Sequence, residues 1–216
     1  MGLALPKYSL AEELINSISH GIGAGLSVAA LVLCIVRAAI HGTAAGVVGA
    51  SIYGATLVIL YCMSTLYHAI TNQTARRVFR VFDHTSIYLL IAGTYTPITL
   101  VTLWGAVGWV LFGIVWGMAV LGIVLNSISI EKFKKFSIVS YIIMGWAVIF
   151  GGKDVISLMP FGGLMFLLIG GICYTVGIIF YAMKKVKFMH SIWHAFVLAG
   201  SILQFFAIYI YVLPVK

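Results

Sequence analysis

An α-helix needs roughly 20 apolar residues to cross the ~30 Å hydrocarbon core of a bilayer. This chain offers seven such runs, near 17–40, 44–68, 83–103, 105–126, 137–152, 161–183 and 191–213. They are continuously apolar and lack the alternation of membrane β-strands, so they read as helices. The fifth is short, which predicts either little tilt or an extension past Gly152. Of the 216 residues, 62% are hydrophobic and 8% charged, against about 25% charged in soluble domains. A separate soluble domain has no room. The expectation is one all-α domain over residues 1–216, an integral membrane bundle of seven transmembrane helices.

The basic residues orient that bundle, because cytoplasmic loops hold the excess of Lys and Arg. Lys7 precedes the first run, and Arg76, Arg77 and Arg80 lie between the second and third. Lys132, Lys134 and Lys135 follow the fourth, and Lys184, Lys185 and Lys187 follow the sixth. The alternate loops hold only Arg37, Lys153 and Lys216. Ten against three predicts a cytoplasmic N-terminus and an outer C-terminus. The net charge of +8 is spread over these clusters, which suit anionic headgroups rather than nucleic acid. Glu12 and Glu13 occupy the place of a positive n-region, so a cleavable signal peptide is not expected.

Cys34, Cys62 and Cys173 fall within apolar runs without metal-binding spacing and read as small buried hydrophobes. Gly21 and Gly25, then Gly42, Gly46, Ala50 and Gly54, then Gly113 and Gly117, are four apart, a spacing that lets helix backbones approach in lipid. Pro97 is expected to kink the third helix.

Ionisable groups at membrane depth carry the functional signal. Glu12, Glu13, Glu131 and Asp154 all have interfacial explanations, whereas Asp83 opens the third run, where a carboxylate could also serve as an N-cap. His190 and His194 are four apart at the start of the seventh run and share a helical face. Ser64 and His68 repeat that spacing at the end of the second. The topology then brings His68, Asp83, His190 and His194 to cytoplasmic helix ends, in one layer. Three imidazoles without a thiolate suit Zn²⁺ with one open position. Zinc brings the pKa of bound water from 15.7 toward about 7. Asp83 could take that water's proton, and Ser64 could hold the water or a substrate carbonyl. Asn16, His20 and His84 are expected to form structural hydrogen bonds, with His84 pointing about 100° away from Asp83. His41 lies on the opposite side. A retinal protein is excluded, since the last run lacks a Schiff-base lysine.

These residues also carry a resemblance. Glu12-Glu13-Leu-Ile-Asn16-Ser-Ile-Ser-His20-Gly-Ile-Gly, Ser64-Thr-Leu-Tyr-His68, Phe82-Asp83-His84-Thr-Ser, Ala92-Gly-Thr-Tyr-Thr-Pro97 and His190-Ser-Ile-Trp-His194 resemble, in order, the motifs of the hemolysin III family. That family sits with the progestin and adipoQ receptors, and more distantly the alkaline ceramidases, in the CREST superfamily. The resemblance implies seven helices with the N-terminus inside. It implies zinc on His68, His190 and His194, Asp83 near the zinc-bound water, and Ser64 in the shared motif. It also implies a link to hydrolysis of lipid amides. The long cytoplasmic N-terminal domain of adiponectin receptors has no counterpart here, which argues against signalling through such a domain.

The first functional reading is therefore a zinc-dependent intramembrane hydrolase of a lipid amide or ester in a bacterial plasma membrane. The alternatives are a membrane-active cytolysin or channel, or a lipid-sensing receptor, with zinc as a staple. Membrane lipids are the expected partners in every case. A pore would need a hydrophilic stripe along several runs, whereas the polar groups gather at one end.

Overall fold

The computed structural model describes residues 5, 6 and 8–214, so Lys7 and Lys216 lie outside the described residues. The helices are α1 (Leu10–His41), α2 (Ala44–Ala69), α3 (Gln73–Pro97), α4 (Ala106–Ile128), α5 (Ile130–Gly145), α6 (Gly152–Leu158), α7 (Phe161–Ala182) and α8 (Met189–Ala207). Short π-turns at Ile98–Thr102 and Ile208–Val212 prolong α3 and α8. Seven spans result: α5, a 3₁₀ turn at Ala147–Gly151 and α6 together form the fifth, from Ile130 to Leu158. The described residues contain no strand. The chain is an all-α, multi-pass membrane protein.

Local chemistry explains why several helices outrun their apolar runs. α1 begins at Leu10 because Ser9 and Glu12 form a reciprocal capping box. α3 begins at Gln73, where the Asn72 side chain accepts from the Thr74 and Ala75 amides. Its first turns carry Arg76, Arg77 and Arg80, so hydropathy conceals them. Asp83 is thus well inside the helix, and the N-cap role open to it in the sequence belongs to Asn72. The fifth span does extend past Gly152, whose φ of 48° admits the break between its two helical pieces. α3 leaves regular α-geometry directly after Pro97, which removes an N–H from the ladder.

α1 is built inside out. Its buried positions are Glu12, Asn16, His20, Gly23, Ser27, Ala30, Cys34 and Ala38, which step by three or four and so form one stripe. Leu14, Ile18, Ile22, Val32 and Val36 face outward, toward lipid if the helix spans. The stripe packs on α2 and α8. Two apolar clusters fill the interior: one joins α1, α2 and α8 around Tyr53, Tyr61 and Leu57, the other joins α3, α4 and α5 around Tyr88, Leu111 and Met144.

The glycine spacing is only partly used. A Cβ at Gly54 would meet Leu31, but at Gly25, Gly113 and Gly117 it would meet nothing within 4 Å. The tight approaches instead include Gly93 on Thr56 and Gly122 on Tyr88. Cys34, Cys62 and Cys173 are free thiols.

Candidate metal centre

The N-terminal ends of α1, α3 and α8 and the C-terminal end of α2 meet in one layer. His68 comes from the last turn of α2, and His190 and His194 from the first turns of α8. His190 Nε2 lies 3.3 Å from His68 Nε2 and 3.1 Å from His194 Nε2. One ligand atom from each of the three falls within 4.8 Å of the others. Two nitrogens bound to zinc at 2.0–2.1 Å across a tetrahedral angle stand about 3.3 Å apart. The three imidazoles therefore have the spacing and donor type that a tetrahedral divalent ion requires, and the group is within reach of such an ion.

Glu13 orients the first of them. Its carboxylate Oε2 is 2.6 Å from His68 Nδ1, and Arg76 pairs with its other oxygen. A carboxylate on Nδ1 turns Nε2 toward a metal and makes it a stronger donor. The sequence had assigned Glu13 an interfacial role, because its partner on α2 lies 55 residues away.

Glu12 performs a parallel task for α8. Phe188, just before α8, has φ of 63°, the left-handed region that non-glycine residues rarely occupy. Its amide donates to Glu12 Oε1 at 2.8 Å. Asn16 Oδ1 accepts from Ser191 Oγ at 2.6 Å. The start of α8 is thereby latched to α1 on both sides of His190.

Asp83 is buried one helix away, with His84, His68 and the Ser64 hydroxyl around its carboxyl. Ser64 Oγ is buried beside that carboxyl. Two expectations need correction. His84 makes the expected structural hydrogen bond, its Nδ1 donating to the Arg80 carbonyl at 3.0 Å, but it does not turn away, since the same nitrogen lies 3.4 Å from Asp83 Oδ2. His20 makes no hydrogen bond through either ring nitrogen and instead stacks on His194, with ring centroids 3.6 Å apart and planes 16° apart. Asn16 is hydrogen-bonded as expected. His41 ends α1 at the opposite end of the bundle, exposed.

A cavity leads away from this layer through the bundle. Asp83, His20, His84 and His190 line one end; Ile98, Val148, Leu167 and Gln204 line more distant parts. Along α3 it runs from Asp83 to Ile98, about 22 Å at 1.5 Å per residue. One leaflet's acyl chains occupy about 15 Å, half of the hydrocarbon core. The middle of the bundle also buries Thr94, Thr96 and Thr99, which the sequence reading did not weigh, but each hydroxyl bonds a carbonyl of its own helix. They add no water-lined stripe.

Comparison with known proteins agrees with this architecture. The family described as "Haemolysin-III related" matches residues 8–205. The chain is 47% identical to "Hemolysin-3" of Bacillus cereus, over 94% of this chain and 93% of that protein. It is 42% identical to "Hemolysin-3 homolog" of Bacillus subtilis (strain 168), over 96% and 98%. "Monocyte to macrophage differentiation factor" of Homo sapiens is more distant, at 29% over 74% and 68%. No solved structure matches significantly. With a match that spans nearly the whole chain, the seven helices and the motif residues of the centre in place, this protein belongs to the haemolysin-III-related family.

Proposed function

We propose that the protein is a zinc-dependent intramembrane hydrolase of a lipid amide or ester, in a bacterial plasma membrane with its N-terminus in the cytoplasm. The supporting observation is the convergence of three imidazoles, two buried and that of His190 half-buried, with a buried carboxylate beside them, at the end of a cavity of acyl-chain length. His68, His190 and His194 would hold the metal. Zinc held there would supply a Lewis acid that makes water nucleophilic near neutral pH.

The chain's own residues divide the remaining work. The apolar walls of the cavity take the acyl chain and exclude water from all but one end. α5 and α7 touch only sparsely along it, which leaves a side entrance from the bilayer. Asp83 accepts a proton from the attacking water and returns it to the leaving nitrogen or oxygen as the acyl bond breaks. The Ser64 hydroxyl donates to the substrate carbonyl oxygen. The products are a fatty acid and an amine or alcohol.

The test is elemental analysis followed by an acyl amide and ester panel read by mass spectrometry. Wild-type protein should carry about one zinc per chain, as a three-histidine site implies, and His194→Ala should lose it. Asp83→Ala should keep the metal and release fatty acid about 10²- to 10⁴-fold more slowly. Metal-free wild-type protein after chelator-free purification would end this reading. The printed name of the Bacillus cereus relative supports a second reading, a membrane-active cytolysin with zinc as a staple. Dye leakage from vesicles that persists in Asp83→Ala, with no fatty acid released by wild type, would favour it.

A further inference from the structure

Among the lysines that follow the fourth and sixth spans, Lys134 differs from the rest, and Lys184 shares its aromatic neighbour. Lys132, Lys135, Lys184, Lys185 and Lys187 are exposed, as positive-inside anchors are expected to be. Lys134 is half-buried and lines the same cavity as Asp83 and His190. Lys184 follows the sixth span, outside that lining, and approaches the same tyrosine ring as Lys134. Both ammoniums sit over the Tyr181 ring, at 5.7 and 5.9 Å from its centroid. Tyr181 in turn lies 6.2 Å from the His190 ring, so Lys134 Nζ is within about 12 Å of that ring.

Two ammoniums within 6 Å of one ring centroid repel each other unless something negative lies between them. Glu131 is the carboxylate near them, but Arg80 already engages it at 2.7 Å. Burial, then the nearby Lys134 and Arg80, push the Lys184 ammonium down to about 8, a strain that a bound anion would relieve.

We propose that Lys134 and Lys184 form a subsite for the phosphate of an anionic membrane lipid, whose acyl chain occupies the cavity. In a glycerophospholipid the phosphate is one glycerol unit away from the ester carbonyls, a separation that suits the short path from the lysine pair to the histidine layer. This assignment rests on the hydrolase reading only for what happens at the carbonyl. The binding itself stands on the lysines and the cavity.

The experiment is native mass spectrometry of the detergent-solubilised full chain after incubation with equal amounts of phosphatidylglycerol and phosphatidylcholine of matched chains. Wild type should retain phosphatidylglycerol preferentially. In Lys134→Gln/Lys184→Gln that preference should fall on the order of tenfold, while Lys132→Gln/Lys185→Gln, which loses the same charge, should keep it. Equal preference in the two double variants would overturn the proposal. Displacement of the lipid by excess inorganic phosphate would assign the pair to a soluble anion and overturn the lipid source. The readout needs no turnover: loss of preference in the first variant, with no fatty acid released by any protein, would retain the subsite and discard the hydrolase.

Discussion

His68 presents Nε2 to its two partners because Glu13 occupies the other nitrogen and Arg76 holds Glu13 in place. Glu13→Gln should therefore weaken zinc binding by about 10- to 100-fold, measured by competition against a chelator, with little change in the melting temperature of the metal-free protein. A purely structural glutamate would give the reverse pattern. His68, His190 and His194 were legible in the sequence because spacing of four residues and loop charge together fix a face and a depth. The role of Glu13 and the stacking of His20 were not. An interfacial glutamate has an adequate explanation on its own helix, and a stacked imidazole such as His20 on His194 leaves no trace in spacing or hydropathy.

At the scale of helices, hydropathy found each span because a bilayer demands length and apolarity together. It misplaced the start of α3 because arginine-bearing turns beyond the apolar core are still helical once capped. Small-residue spacing located close contacts less well, since helical rotation decides whether a glycine meets a neighbour or lipid. Gly93→Val and Gly117→Val separate the two cases. The first drives a side chain into Thr56 and should cost about 1–3 kcal/mol. The second has nothing within 4 Å and should stay within about 0.5 kcal/mol. Thermal unfolding in detergent reads both.

The whole molecule has one polar end and a long apolar cavity that leads from it. The first of these follows from the order of charged residues in the chain, and the second does not, because a void depends on how side chains from α3, α5, α7 and α8 fit. Leu167→Trp, which places bulk in the cavity away from the histidines, should slow release from long-chain substrates more than from short-chain ones. Zinc content should be unchanged. A similar loss for all chain lengths would mean that the acyl group lies elsewhere. The latch between the first and last helices also bears on biogenesis. Glu12 and Asn16 emerge from the ribosome early, yet Phe188 and Ser191, 176 and 175 residues later, complete their hydrogen bonds. The nascent first helix must therefore wait in the membrane, its polar edge only partly answered, until translation is nearly over, and a chain released early has no centre to mature.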